Sequence, residues 1–289
     1  MAPSPLQKIA EALEGAGPLD GVGKAIGKVV RGAIGPGPLK SALAGTWLGH
    51  AVHPMLTDVV IGSFTSATVL DLLGGDDDGR AAERLIGVGI AAYGPTALTG
   101  VTDWADSEIA DERVRRVGLT HATTNLTALS LYVASLVARR RGDDARGKAL
   151  SLAGGAVLGL GGYLGGHMSF IQGVGPNQTV FDEGPSEWTD AGDASELSPG
   201  EPKGVVAGDT PVLLVRHGDG IHAMHARCSH RGCDLGELGE LDGHVMTCQC
   251  HGSQFDIRDG SVQRGPATAA QPVYEVRESG GRIELRLPE

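Results

Sequence analysis

The chain has 289 residues, a net charge of −11 and 46 glycines. This glycine content is more than twice the roughly 7% of ordinary proteins, but no Gly-X-Y repeat accompanies it, which excludes a collagen-like chain. The 41% of hydrophobic residues excludes disorder throughout. An acidic balance without a basic patch argues against nucleic acid as a partner, because neutralisation of phosphates normally drives that binding.

The charge divides the chain into two parts. Residues 1–174 carry a net charge of −1, whereas residues 175–289 hold 9 Lys+Arg and 19 Asp+Glu and carry −10. Composition along the chain predicts four regions, which are an N-terminal amphipathic and flexible arm (1–45), a helical domain (46–174), a linker rich in Gly, Pro and acidic residues (175–186) and a β domain (187–289).

Four apolar segments follow the arm, at residues 47–73, 85–101, 117–138 and 149–174. The last three contain no Asp, Glu, Lys or Arg, and their lengths bracket the roughly 20 residues that cross a bilayer. Glycines in small-xxx-small spacing in the fourth segment allow close helix packing. A soluble bundle would need polar stripes at helical spacing, which segments two to four lack. We therefore predict a four-helix transmembrane bundle.

Loop charges indicate the orientation of this bundle. Seven cations lie in the loops on one side, and four lie near the helix ends on the other side. The positive-inside rule therefore places the RRRGDDARGK loop in the cytoplasm and both termini outside. The prediction is a multi-pass protein of the cell membrane.

A few polar residues fall at the helix ends that this topology brings to one membrane face. They include His53, Asp103, His121 and His167. Two interpretations remain open. Histidines bind haem or metal, so two of the three histidines could hold a haem b or a metal ion. The favoured alternative is a hydrogen-bonded network, also including Asn125, that fixes the helix register.

The C-terminal part contains short alternating runs such as PVLLVRH, GIHAMHA, VYEVRE and RIELRL, separated by Gly and Asp turns. This pattern predicts a small antiparallel β domain. The fold class is therefore α + β in separate domains, with the transmembrane bundle first and the all-β domain second.

Two motifs in the β domain carry metal-ligand chemistry. They are CSHRGC at 228–233 and CQCHGSQFD at 248–256. Cys228 and His230 form a C-x-H pair, and Cys248 and His251 form a C-x-x-H pair. Two thiolates and two imidazoles can bind zinc tetrahedrally, or they can hold a 2Fe-2S cluster with the cysteines on one iron and the histidines on the other.

The remaining two cysteines, Cys233 and Cys250, favour the cluster, because a zinc ribbon gains nothing from them. With them, the motifs resemble the Rieske iron-sulfur family across residues 187–288. The resemblance implies that the motif cysteines bind the inner iron and the motif histidines bind the outer, redox-active iron. It also implies that Cys233 and Cys250 form the loop-bridging disulfide of the respiratory branch of that family.

Further positions match parts of the same branch. Gly265-Pro266-Ala267 is similar to its third loop, which covers the cluster. Ser253 stands where the branch places a hydroxyl near a bridging sulfide, and Phe255 stands where a tyrosine is frequent. Since hydrogen bonds to cluster sulfurs stabilise the reduced state, we expect a potential below that of the serine-plus-tyrosine pattern. A redox titration of Phe255→Tyr tests this, and an unchanged midpoint would contradict it.

Two positions depart from quinol-oxidising Rieske proteins. Arg231 replaces a leucine and Gln249 replaces a proline, and an arginine at the first position is typical of ferredoxin-like Rieske domains. These departures count against docking at a quinol site.

The resulting prediction is a membrane-anchored one-electron carrier with a 2Fe-2S cluster and no substrate-turnover site of its own. Its partner is a redox protein or the quinone pool, with a basic docking face that complements the acidic domain. The disulfide favours an oxidising compartment, hence a Rieske domain outside the cytoplasm. The alternatives are a membrane redox sensor or assembly protein, and a ferredoxin-like electron donor to a separate oxygenase.

Overall fold

The computed structural model of the chain describes residues 4–75, 78–218 and 220–289. Its internal contacts separate into two units. The helical unit consists of Met1–Ala33 and Val52–Val174, and the β unit consists of Ile34–Ala51 and Gly175–Glu289.

Helices occupy most of the first 174 residues. In chain order they are α1 (Pro5–Glu14), α2 (Asp20–Ala33), α3 (Pro38–Ala44), α4 (Val52–Leu73), α5 (Gly79–Ser107), α6 (Glu112–Arg140) and α7 (Asp144–Phe170), and a short α8 (Leu235–Leu238) lies in the β unit. Side chains cap several of them, because the first N–H groups of a helix have no partner within it. Ser4 caps α1, Asp111 caps α6 and Asp143 caps α7.

Three of the described helices, α4, α5 and α7, are long and apolar enough to cross a membrane. The fourth long helix, α6, does not join this set, although residues 117–138 within it carry no charge. His121, Asn125 and several threonines within that stretch lower its mean hydropathy. Length and composition therefore support three of the four predicted spans.

Close approach of helix backbones accounts for part of the glycine excess. Gly89 on α5 packs against the ring of Phe64, and Gly154 on α7 packs against the ring of Tyr132. These two rings stack with their centroids 3.9 Å apart in the core of the bundle. Larger side chains at the two glycines would overlap the rings, so the small residues let the helices meet.

The N-terminal helices are tied to the bundle by ion pairs. A guanidinium nitrogen of Arg116 lies 2.6 Å from a carboxylate oxygen of Asp20, and Arg31 lies 2.6 Å from Glu108. The glutamate is fully buried and also pairs with Arg115 at 2.6 Å. Residues 5–33 of the predicted flexible arm are therefore two helices with defined partners, which their charge pattern alone did not reveal.

The β unit contains ten strands among its described residues. They are β1 (Thr189–Asp193), β2 (Lys203–Ala207), β3 (Thr210–His217), β4 (Gly220–His225), β5 (Gly239–Asp242), β6 (Val245–Cys248), β7 (Gln254–Asp256), β8 (Val262–Arg264), β9 (Val273–Ser279) and β10 (Arg282–Arg286). They form a six-stranded sheet in the order β1-β10-β9-β4-β3-β2 and a four-stranded sheet in the order β5-β6-β7-β8. All neighbouring strands in these two sheets pair antiparallel, which confirms the predicted antiparallel β fold.

Two buried clusters of apolar side chains support these sheets. The first contains Phe255 and Met246 from the four-stranded sheet together with Cys228 and Cys248. The motif cysteines are thus anchored in the core of the unit. Residues 34–51, with α3, also belong to this unit, whereas the predicted boundaries divided them between the arm and the helical domain. Their contacts with the β unit join residues more than 200 positions apart in the chain, which local composition cannot indicate.

Candidate metal centre

Three loops of the β unit bring the motif residues together. The first loop (residues 226–234) follows β4, the second loop (residues 249–253) joins β6 to β7, and the third loop (residues 265–272) follows β8. The first two contain the same turn. Gly232 N–H donates to the carbonyl of Cys228 at 2.8 Å, and Gly252 N–H donates to the carbonyl of Cys248 at 2.9 Å. Both glycines have positive φ angles, which favour glycine at these positions.

The two motif cysteines are buried free thiols. They lie close enough to share a hydrogen bond, which raises the pKa of Cys228 and lowers the pKa of Cys248 to about 7. A thiolate is the form that binds metal. The pair therefore offers two neighbouring sulfur ligands, one from each of the repeated turns.

The two motif histidines form a second neighbouring pair. The ring centroids of His230 and His251 lie 5.1 Å apart, with the ring planes 80° to each other. Burial lowers the pKa of His230 well below its ordinary value, and the charge of Arg231 lowers it further. Neutral imidazole is the form that ligates metal. The loops thus present two sulfur donors as one pair and two nitrogen donors as another.

A disulfide between Cys233 and Cys250 joins the first loop to the second. This is the pairing that the family resemblance implied. The sulfur atoms of both residues and that of Cys248 all lie within 4.8 Å of one another. The covalent link therefore fixes the distance between the two ligand-bearing turns next to the thiol pair.

The third loop contacts the second through Ser253. The backbone N–H of Ala267 donates to Ser253 Oγ at 3.0 Å, and the serine is fully buried. The bond between Gly265 and Pro266 is cis. Phe255 is also fully buried, in the apolar core below the second loop. Ser253, Phe255 and Pro266 thus lie on or next to the loops that hold the motif residues.

Sequence reasoning missed Gln271, which fastens the third loop to the first. Its Oε1 accepts from Ser229 N–H at 3.0 Å, and its Nε2 donates to the carbonyls of His225 at 2.7 Å and Arg227 at 2.6 Å. The side chain is 2% exposed. A lone glutamine some 40 residues from its partners carries no motif, so nothing in the sequence distinguished it.

The donor set fits an asymmetric 2Fe-2S cluster better than a single ion. Two thiols and two imidazoles arrive as separate pairs, and a cluster with cysteines on one iron and histidines on the other requires this division. Residues 187–275 match the family model described as the Rieske [2Fe-2S] domain. The anthranilate 1,2-dioxygenase ferredoxin subunit of Burkholderia cepacia is 34% identical over 102 residues, which cover 35% of this chain and 94% of that protein.

The chain belongs to the Rieske [2Fe-2S] family.

Other proteins similar to the Rieske domain include a cytochrome-complex subunit and a solved ferredoxin. The cytochrome b6-f complex iron-sulfur subunit of Chlorobaculum tepidum is 32% identical over 96 residues, covering 33% of this chain and 51% of that protein. The ferredoxin of carbazole 1,9a-dioxygenase from Nocardioides aromaticivorans IC177 is 26% identical, with 36% of this chain and 100% of that chain covered and a TM-score of 0.33.

The helical part matches a different family. Residues 49–178 match the model described as predicted membrane protein (DUF2231). The chain is therefore a fusion of a predicted membrane-protein domain with a Rieske domain. A Rieske domain implies a 2Fe-2S cluster, and its similarity to ferredoxin subunits and to a cytochrome-complex subunit supports electron transfer.

The histidines outside the Rieske domain engage protein groups. His53 Nδ1 lies 3.0 Å from the carbonyl oxygen of Thr96, and His121 Nδ1 lies 2.9 Å from that of Gly161. Asn125 also contacts the His121 ring, with Nδ2 3.2 Å from Nε2. These contacts favour the polar network over a haem b, which neither the structure nor the comparisons support.

The other two predicted network members sit elsewhere in the helical unit. His167 Nε2 lies 2.9 Å from Glu14 Oε1, so it contacts α1. The backbone carbonyl of Asp103 accepts from Ser107 Oγ at 2.8 Å within α5. Each of the four residues thus has at least one hydrogen-bond contact within the helical unit.

Proposed function

We propose that this chain is a membrane-anchored one-electron carrier. Cys228 and Cys248 bind one iron of its 2Fe-2S cluster, and His230 and His251 bind the other. The observation that carries the proposal is the repeated turn, which sets a buried free thiol and an imidazole into each of two disulfide-linked loops. A bound cluster of this kind takes up and returns one electron.

The protein contributes rigidity and a dry environment to this site. The disulfide and Gln271 hold the three loops at fixed separations, so the ligands are in place in either oxidation state. Ser253 Oγ accepts one hydrogen bond from the N–H of Ala267. We assign its own O–H the role of donating a hydrogen bond to a cluster sulfur, which stabilises the reduced state. Phe255 has no hydroxyl to donate such a hydrogen bond, so the reduction potential of the cluster is lower than with a tyrosine at this position.

The anchor consists of α4, α5, α6 and α7 as four spanning helices. The uncharged stretch 117–138 supports including α6, even though its composition is less apolar than that of the other three. The excess of cations in the two loops on one side supports a cytoplasmic location for those loops, and the disulfide supports an extracytoplasmic Rieske domain. Protease added to intact spheroplasts is expected to digest the Rieske domain; complete protection of it would contradict this orientation.

The partner is a redox protein with a basic docking face, or the quinone pool. A net charge of −10 on residues 175–289 supports the basic face. A second candidate is electron donation to a separate oxygenase, supported by Arg231 and by similarity to a dioxygenase ferredoxin subunit. A sensor or assembly role remains the third possibility. Rapid, repeated reoxidation by a membrane acceptor separates a carrier from a sensor, which would be reduced once and slowly.

Ligand variants of the intact protein test the proposed function. Cys248→Ser and His251→Ala are expected to lose the visible absorbance and the EPR signal of the reduced cluster. His217→Ala serves as the control, because His217 packs against His244 rather than a loop cysteine. It should retain both signals.

A rescue variant distinguishes ligation from misfolding. His251→Cys is expected to keep a cluster but to lower its midpoint potential, because a thiolate adds negative charge where imidazole is neutral. Full retention of the wild-type spectrum and potential in His251→Ala would contradict the assignment of this residue.

A further inference from the structure

Residues 34–51 are separated from the Rieske domain by more than 130 positions, yet they belong to the same unit. They include α3 and a short 3-10 turn at Thr46–Leu48. The residues on both sides of this segment in the chain, α2 and α4, belong to the helical unit. A segment of 18 residues thus leaves the helical unit and packs with the unit that holds the candidate metal centre.

The segment contacts the second and third loops directly. Pro36 packs so closely on Gly252 that a Cβ at the glycine would lie 2.6 Å from the proline Cβ. Gly265 N–H donates to Ser41 Oγ at 3.0 Å. Thr46 Oγ1 donates to the carbonyl of Ala267 at 3.1 Å. Gly252 directly follows His251, and the other two contacts flank Pro266.

The same segment carries a buried lysine next to its contact with the third loop. Lys40 lies on α3 and is only 3% exposed, which is rare for lysine. Lys40 directly precedes Ser41, whose Oγ accepts the hydrogen bond from Gly265 in the third loop. The lysine therefore lies beside a contact with the third loop, on the segment that also packs against Gly252 in the second loop.

We propose that residues 34–51 form a built-in cover of the histidine-bearing side of the cluster, and that Lys40 within this cover raises the cluster's reduction potential. The inference rests on the proposed function. An added electron on the outer iron is stabilised by a nearby cation, and the interaction is stronger where protein replaces water. Lys40 acts through its charge and is not a ligand.

An EPR-monitored redox titration of the full-length protein tests the charge effect. Lys40→Met is expected to lower the equilibrium constant for reduction about tenfold, which is about 59 mV for a one-electron couple. Lys40→Arg keeps the charge and should stay near the wild-type midpoint. Lys203→Met removes the same charge from β2 of the same unit, where the lysine pairs with Glu196, and should shift the midpoint much less.

An equal shift in Lys40→Met and Lys203→Met would overturn the proposed role of Lys40. Absence of any 2Fe-2S signal in the wild-type protein would instead contradict the proposed function. The two failures are therefore distinguishable in one titration series.

Hydrogen exchange tests the cover without reference to the cluster, and this test of the cover does not depend on the folding of Lys40→Met. The double variant Ser41→Ala/Thr46→Val removes both side-chain contacts to the third loop. We expect exchange of the Gly265 amide to accelerate at least fivefold in a peptide covering residues 262–268. Thr189→Val removes only a bond within its own segment, to the Glu187 carbonyl, and is the control. Unchanged exchange in the double variant would show that the segment does not cover the loop.

Discussion

Gln271 links the first and third loops of the candidate metal centre through three hydrogen bonds. One buried amide satisfies the N–H of Ser229 and the carbonyls of His225 and Arg227. Removing it would leave all three backbone groups without this partner, and each unsatisfied buried group costs about 1–3 kcal/mol. The residue therefore links the ligand-bearing first loop to the third.

Gln271→Leu should accordingly lower the free energy of unfolding of the Rieske domain by about 3 kcal/mol or more and should weaken cluster retention. Urea unfolding followed by tryptophan fluorescence measures the first effect, and visible absorbance measures the second. Gln263→Leu is the matched control, because Gln263 is exposed and contacts Ser261. A difference under about 0.5 kcal/mol between the two variants is within the ordinary range for surface substitutions and would count against a structural role for Gln271.

At this scale the sequence could reveal only residues that follow each other closely. The spacing of Cys228 and His230, and of Cys248 and His251, identifies a metal site because one short loop must present both side chains. Gln271 and Lys40 reach the site through tertiary folding, so no local spacing marks them. The same reason explains why polar residues scattered along four helices left a haem b open as an alternative to the favoured polar network.

At the scale of elements, α7 offers a controlled test of glycine packing. A Cβ at Gly161 would collide with Asn125 Oδ1, whereas a Cβ at the adjacent Gly162 meets nothing within 4 Å. Gly161→Ala should destabilise the helical unit by about 1–3 kcal/mol through overpacking. Gly162→Ala should be neutral or stabilising by up to about 1 kcal/mol, because alanine favours the helix. Thermal unfolding in detergent measures both, and equal effects of the two variants would refute the packing argument.

The disulfide gives a second test at this scale. Its cysteines are 17 residues apart, and closing a loop of that length removes about 3 kcal/mol of chain entropy from the unfolded state. The double variant Cys233→Ser/Cys250→Ser should lose about this much stability in urea unfolding under oxidising conditions. Wild-type protein with reductant should behave like the variant. A double variant as stable as the oxidised wild type would contradict the stabilising role of the disulfide.

Element types followed from pattern more readily than element partners did. Short runs of apolar and polar residues between Gly and Asp turns predicted the strands of the β unit, although β3 buries consecutive residues and therefore both of its faces. The long uncharged runs predicted the long helices for a similar reason. The N-terminal helices were read as an arm because their ion pairs, such as Asp20 with Arg116, join segments about a hundred residues apart.

At the scale of the whole molecule, the two parts of the chain differ in net charge. The part up to residue 174 is nearly neutral, and the part that carries the cluster has a net charge of −10. Electron transfer to a basic c-type cytochrome, used as a probe acceptor, should therefore slow at least tenfold between 0.05 and 0.5 M salt, because salt screens electrostatic steering. Reduction of an uncharged soluble quinone is the control and should not change. A salt-independent rate with the cytochrome would contradict an acidic docking face.

The sequence predicted a two-part molecule but not its boundaries. Composition placed the division near residue 175, where a Gly- and Pro-rich stretch begins. Residues 34–51 pack with the Rieske domain, so the unit that contains this domain is made of two separate segments of the chain. A division by composition assumes one continuous segment for each unit. The Gly- and Pro-rich start of this segment, IGPGP at 34–38, indicates a break in the chain but not which unit the segment joins, because that depends on a few contacts with residues far away in the sequence.

The most direct test of the whole account is pulsed EPR of the reduced, intact protein produced with ¹⁵N-labelled histidine. If two imidazoles bind one iron, the spectrum should show nitrogen couplings from two histidines. Replacement of His230 or His251 should remove part of these couplings. A cluster without nitrogen couplings, or a colourless protein that holds only zinc, would contradict it.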